Sequence, residues 1–295
     1  MKTSEDLKNI VKDRYSKIAV QDKAVNASSC CGATAPSNKV YNIMMDDYSE
    51  VEGYNKEADL GLGCGLPTEF AHINKGDTVI DLGSGAGNDC FVARHEAGET
   101  GKVIGIDFTE AMINKARKNA EKMGYNNVEF RFGDIDDMPV SDNVADVIVS
   151  NCVLNLVPDK EKVIKEIYRV LKPGGHFSIS DIVLVGDLPE ALRKDAEMYA
   201  GCVAGAIQKS EYLGYIEALG FTNITLQKEK VITIPDDILT NYLTPEEMED
   251  IENKNMGIFS ITVYAEKPGE KSSENHSDDK QVKKEACCGP ESNCC

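Results

Sequence analysis

Residues 78–88 read TVIDLGSGAGN: a short apolar run closes on Asp81 and breaks at once into glycines at 83, 85 and 87. After Lys102 comes a second apolar run, VIGID at 103–107, which ends in another carboxylate, Asp107. A buried strand, a turn without side chains where a ligand can press on backbone, and an acid at the tip of the next strand restrict this chain to an α/β fold with a nucleoside pocket at its strand ends.

The spacing narrows the ligand. Dinucleotide sites use G-x-G-x-x-G, with a helix N-terminus aimed at a pyrophosphate. Here the order is G-x-G-x-G behind Asp81, and the loop resembles the first motif of the S-adenosylmethionine-dependent methyltransferases. That resemblance implies a phosphate-free ligand whose amino-acid tail lies on Gly83, Ser84, Gly85 and Gly87, with Asp81 tolerated because the ligand carries ammonium and sulfonium charge. Asp107 would hold the ribose hydroxyls as a double acceptor, with Phe108 and Met112 in the same pocket. The bland alternatives are a tight strand-to-helix turn for the glycines and a helix-capping carboxylate for Asp107.

Two more strands point to the same rim. Residues 128–132, VEFRF, alternate and run into Gly133, Asp134 and Ile135, where the carboxylate can accept from an adenine amino group while Ile135 packs on the ring. Residues 144–150, VADVIVS, form a fourth strand that delivers Asn151, assigned to the cofactor, and Cys152. Since open parallel sheets bind ligands at the carboxyl ends of their strands, Gly83, Asp107, Asp134 and Cys152 are expected together.

Around this core, Leu7, Ile10, Val11, Tyr15 and Ile18 recur at helical spacing behind Ser4. Helices are also expected through Met112, Ala116, Ala120 and Met123, and through Val163, Ile164, Ile167, Val170 and Leu171, the latter capped by Asp159 and stopped by Pro173, Gly174 and Gly175. A fifth strand follows at 177–183, a helical insertion at 188–206, a helix at 210–219, closing strands at 222–226 and 258–264, and a capping-box spacing at 244–247. The expected organisation is an N-terminal helix and cap over 1–67, a cofactor-binding core over 68–183, the rest of the fold with its insertion over 184–266, and a disordered polar linker with a cysteine-rich tail over 267–295.

The formal charge of −18 argues against nucleic-acid and anionic-membrane partners, which need clustered Lys and Arg. With no apolar run near the roughly 18–20 residues of a membrane span and no secretory h-region at the start, the expected location is the cytoplasm, and the expected state a monomer. Ten cysteines are many for a reducing compartment, where a disulfide scaffold does not explain them. Six form the vicinal pairs Cys30–Cys31, Cys287–Cys288 and Cys294–Cys295; Cys64, Cys90, Cys152 and Cys202 stand singly. Cys90, on the apolar face of the helix after the glycine loop, reads as packing. Cys64, Cys152 and Cys202 lie in segments able to converge over a methyl-donor pocket. The C-x₂₋₄-C pairs of a structural zinc site are missing from this core, and three separate thiolates suit a soft, three-coordinate ion better.

The motifs LGLGCGLP (60–67), VIDLGSGAGNDC (79–90), SNCVLN (150–155), LKPGG (171–175), SDIV (180–183) and GCVAGA (201–206) closely resemble the arsenite S-adenosylmethionine methyltransferases. The resemblance covers about residues 1 to 265. It implies a Rossmann-like class I methyltransferase fold, with a seven-stranded, mainly parallel sheet, helices on both faces and an antiparallel closing strand. It implies that Cys64, Cys152 and Cys202 bind As(III), and that Cys30 or Cys31 takes part in redox exchange. Arsenite, neutral as As(OH)₃, would exchange its hydroxyls for thiols, so no permanent thiolate is needed although only about 3 % of a free thiol is ionised at pH 7. Three sulfurs leave an arsenic lone pair to meet the methyl group in line, and no general base is required, which agrees with His72, His95, His176 and His276 falling outside the pocket motifs. Methylation to the pentavalent state, reduction by a cysteine pair, and reopening of that disulfide by thioredoxin or glutathione would give mono- and dimethylated products over two rounds. The tail's vicinal cysteines suit chelation of soft metals or delivery of arsenite, or are incidental. Two other readings stand beside this one: a carbon or oxygen methyltransferase of a small metabolite, with the cysteines as packing, and a non-catalytic metalloid-binding protein.

Overall fold

A computed structural model of the chain describes residues 4–21, 46–186, 205–233, 244, 246 and 257–269. Its centre is a seven-stranded sheet of order β3-β2-β1-β4-β5-β7-β6. The strands are β1 (Thr78–Leu82), β2 (Lys102–Asp107), β3 (Val128–Phe132), β4 (Ala145–Asn151), β5 (Leu171–Val185), β6 (Thr222–Val231) and β7 (Gly257–Glu266). The first five pair in parallel, while β7 runs antiparallel to both β5 and β6, as the sequence implied.

Strands buried on both faces need apolar residues at consecutive positions, and alternate side chains then serve opposite cores. Ile80, Leu82, Ile104, Ile106 and Ile148 enter one core; Val79, Val103, Val147 and Val149 enter the other. The first core is covered by α4 (Lys160–Val170) and α5 (Lys209–Ala218). The second is covered by α2 (Asn88–Ala97), α3 (Glu110–Met123) and α1 (Ser4–Ala19), whose Ile18 and Ala19 are buried in it. Asp159 caps α4 by accepting from the Lys162 amide at 3.0 Å, as its position before the apolar repeat predicts.

Chain direction fixes where a ligand can bind. After β1 the chain moves outward to β2 and β3, then crosses back to place β4 on the other side of β1. Helices leave opposite faces at such a switch point, opening a crevice beyond the carboxyl ends of the two strands. Gly83 follows β1 there, and Cys152 follows β4.

Several boundaries differ from the sequence reading: β4 and β7 shift by one or two residues, and Leu171, expected in the helix, opens β5. β5 spans 171–185 rather than 177–183, because Leu171 already pairs with Ala145 and residues 172–175 bulge out before His176 pairs with Val147. β6 continues to Val231 because β7 offers it a partner along its length. α5 starts one residue earlier than expected and ends one residue earlier. The expected insertion at 188–206, the capping box at 244–247 and the linker from 267 lie wholly or mostly outside the described residues. Among the described residues no helix is long and apolar enough to cross a membrane.

Candidate active site

The glycine loop is held open by backbone that only glycine adopts cheaply. Gly83 has φ +66°, and a Cβ there would stand 2.5 Å from the Val153 side chain. Gly85 has φ +51° and faces open space, so its backbone is the part of the loop a ligand can approach. The Gly85 amide donates to Asp107 Oδ2 at 3.0 Å, and the Thr109 amide donates to Oδ1 at 2.8 Å. Asp107 therefore ties loop to strand, while Thr109 rather than Asp107 occupies the N-cap of α3. Each carboxylate oxygen keeps a further lone pair for a hydroxyl. Burial pushes this carboxyl above its usual range, and the two amides oppose the shift. The Thr109 side chain also bonds Asp107 and opposes that shift, whereas the buried hydroxyl of Ser84 has no hydrogen-bond partner among the described residues. An orphaned buried hydroxyl in the glycine loop matches a ligand rich in hydroxyl and amino groups.

Behind the loop lies an acidic belt. Asp81 is buried, accepts from the Cys90 thiol at 3.2 Å, and is pushed up by burial, by Asp89 and by Asp107. Cys90 is thus a packing residue, fully buried, whose thiol also satisfies a carboxylate. Asp89 accepts from the Tyr48 hydroxyl at 2.7 Å, and burial raises it to about 6. Carboxylates that raise one another in a dry crevice favour a bound cation. S-adenosylmethionine, with its ammonium, sulfonium and ribose, fits this donor set.

Other residues expected at the pocket sit as follows. Asp134 is half-exposed and faces Lys8 of α1 at 3.2 Å, with Asp136 alongside at 2.9 Å, so α1 already supplies a cation to the carboxylate the sequence assigned to an adenine amine. Ile135 is 5 % exposed within the core on the α4 side, and Met112 is fully buried in the opposite core. Phe108 is half-buried at the rim beside Asp107.

The loop that carries Cys64 is tied to the end of β4 by one side chain. Asn151 Oδ1 accepts from the Cys64 amide at 2.9 Å, while Nδ2 donates to the Gly65 carbonyl at 2.8 Å and to the Tyr48 hydroxyl at 2.7 Å. The loop carrying Cys64 is thereby clamped to the residue immediately before Cys152. Close approach is obligatory here: a Cβ on Gly63 would stand 2.7 Å from the Asn151 amide, and one on Gly65 would stand 2.5 Å from Ser180 Oγ. The Ser260 hydroxyl donates to the Cys64 carbonyl from β7. Cys152 adopts φ +61°, a left-handed conformation that costs a non-glycine residue about 1 kcal/mol or more, and its amide donates to the Ser180 carbonyl at 2.7 Å. Both thiols are buried.

Cys202, Cys30 and Cys31 lie outside the described residues. Gly205, three positions after Cys202, is described, and a Cβ on it would stand 1.9 Å from the Asn155 carbonyl, so the returning chain presses against the turn that follows Cys152. Among the described residues, no three His, Cys, Asp or Glu side chains gather as for a metal ion. Sequence reasoning missed Tyr48, Asp89, Asp181 and Tyr212. Asp89 carried a signal, two residues beyond the last loop glycine; Tyr48 and Tyr212 carried none, since their partners are distant in the chain.

A methyltransferase-domain family model matches residues 73–220. An arsenite methyltransferase of Halobacterium salinarum is 38% identical over 279 residues, covering 90% of this chain and 67% of that protein. One from Aquipseudomonas alcaligenes is 35% identical over 240 residues, covering 79% of this chain and 67% of that protein. The crystal structure of an arsenic(III) S-adenosylmethionine methyltransferase from Chlamydomonas reinhardtii superposes with a TM-score of 0.57 at 31% identity, covering 78% of this chain and 74% of that one. On these matches the chain belongs to the arsenite methyltransferases of the methyltransferase-domain family.

Proposed function

We propose that this protein methylates arsenite, with S-adenosylmethionine as donor and Cys64, Cys152 and Cys202 as the arsenic ligands. The observation that carries the assignment is the Asn151 clamp, which holds the Cys64 loop against the residue before Cys152 at the mouth of the acid-lined crevice.

The division of labour follows from the donor groups. Asp107, with the Gly85 backbone and the Ser84 hydroxyl, holds the ribose end. Asp81 and Asp89 favour positive charge beside the loop. When bound there, S-adenosylmethionine supplies an electrophilic methyl group. Cys64 and Cys152 exchange the hydroxyls of As(OH)₃ for sulfur, and Cys202 completes the set. Three sulfur ligands leave the arsenic lone pair unshared and fix its direction, so the chain contributes proximity and orientation rather than a base. A thiol pair that includes Cys30 or Cys31 then gives two electrons to the pentavalent methylated product and closes as a disulfide, which thioredoxin or glutathione reopens. The protein works as a cytoplasmic monomer.

A single-turnover reaction of arsenite with methyl-labelled S-adenosylmethionine tests the reading. Label appearing in methylated arsenic, with S-adenosylhomocysteine formed in equal amount, supports it; uptake of As(III) without S-adenosylhomocysteine overturns it in favour of a binding protein.

A further inference from the structure

Beneath the thiol rim lies a buried polar cluster with no part in the chemistry above. Asp181 on β5 is fully buried; its Oδ1 accepts from Asn155 Nδ2 at 2.7 Å and from the Ile182 amide at 3.0 Å, and its Oδ2 faces the Tyr212 hydroxyl at 3.5 Å. Tyr212, 2% exposed on α5, lies within electrostatic reach of both Cys64 and Cys152. Asn155 Oδ1 is buried without a hydrogen-bond partner among the described residues, three positions after Cys152. Burying a carboxylate, a phenol and an amide together in an otherwise apolar core costs stability that their mutual hydrogen bonds offset only in part, and among the described residues Asn155 Oδ1 is left without even that.

We propose that Tyr212 and Asp181, steadied by Asn155, form the proton relay for exchanging thiols with the hydroxyls of arsenite; the proposal rests on the thiol site assigned above. In each exchange an S–H and an As–OH bond break while an S–As and an O–H bond form. The thiol proton passes to the Tyr212–Asp181 pair and from it to the departing hydroxyl, which leaves as water. Arsenic and sulfur keep their oxidation states and no net proton is released. The relay is needed because hydroxide is a poor leaving group, the pKa of water being about 15.7 against about 8.5 for a thiol. The unpartnered Asn155 Oδ1 accepts from a hydroxyl on arsenic. Burial pushes Asp181 up to about 7, opposed by the Ile182 amide, Lys160 and Tyr212, which suits a group that must both take and return a proton near neutrality.

The test compares two arsenic donors on the full-length, reduced protein: arsenite, and arsenite already converted to its tris-glutathione complex, whose leaving thiolates need no proton at the moment of departure. Uptake is followed by the ultraviolet absorption of arsenic–thiolate bonds. In Tyr212→Phe and Asp181→Asn, arsenite capture should slow roughly a hundredfold, with capture from the thiolate complex far less affected. Equal slowing with both donors, or no slowing with either, overturns the relay and leaves the cluster structural. Tyr212→Phe keeps the ring in its core position and carries the test alone if Asp181→Asn does not fold. Failure of the unaltered protein to take up arsenic from either donor would instead overturn the thiol site itself.

Discussion

Asn151→Ala separates the two ends of the site. The Asn151 amide makes two hydrogen bonds to the loop that carries Cys64, at 2.9 and 2.8 Å. At a net of about 1 kcal/mol each, their loss frees that loop by about 2 kcal/mol. With tenfold per 1.4 kcal/mol, the held conformation becomes roughly thirty times rarer, and apparent As(III) affinity should fall by the same factor. The Asp107 contacts to Gly85 and Thr109 do not involve Asn151, so affinity for S-adenosylhomocysteine should fall much less. Equilibrium dialysis with elemental arsenic detection reads the first quantity and calorimetry the second; the chain has no tryptophan whose emission would report either. Urea unfolding should show a loss of about 2 kcal/mol with the fold retained. Unchanged arsenic affinity, or an equal loss of cofactor affinity, would refute the clamp and return Asn151 to the cofactor contacts where the sequence reading placed it.

Cys152→Ser and Cys202→Ser should each abolish arsenic methylation while cofactor affinity persists, and full activity in both would remove the thiol site. Cys152→Gly should be equally inactive yet within about 1 kcal/mol of the parent in stability, because glycine relieves the φ +61° strain; chemical denaturation checks this. Asp107→Ala should weaken S-adenosylhomocysteine binding at least tenfold, since it removes a charged acceptor worth about 1.5–3 kcal/mol per bond, and unchanged affinity by calorimetry would remove the ribose assignment. For Asp181, a folded-state pKa raised to about 7 means the native protein holds a proton that the unfolded chain has lost between roughly pH 4 and 7. Its contribution to stability is therefore greatest at low pH and declines as pH rises to 7. Asp181→Asn should flatten that slope and gain a few kcal/mol over the parent at pH 8, measured by urea titrations across pH; an unchanged slope would contradict the burial of an ionisable carboxyl there.

Much of the architecture is legible in one dimension because parallel sheets leave local marks. Each of β1, β2, β3 and β4 is a short run of apolar or alternating residues, and each carboxyl end was assigned to the rim it occupies. Helix α1 and the Asp159 cap were read for the same reason: spacing and capping act within a few residues. The long β5 was underestimated because Pro173, Gly174 and Gly175 read as a stop, and only pairing with β4 and β7 carries the strand back to Leu171 and on to Val185.

What the sequence determined by itself is therefore the strand-and-glycine frame and the family whose motifs it carries. Tertiary structure alone decided how the Cys64 loop meets the end of β4, since the Cys64 amide and the Asn151 side chain are separated by 87 positions and joined by one hydrogen bond. It also decided that Lys8 faces Asp134, and that Tyr212 stands beside Asp181 under the thiols. Periodicity reports which face of an element is buried; it carries no record of which distant polar group will satisfy a buried one, because that choice is made by packing.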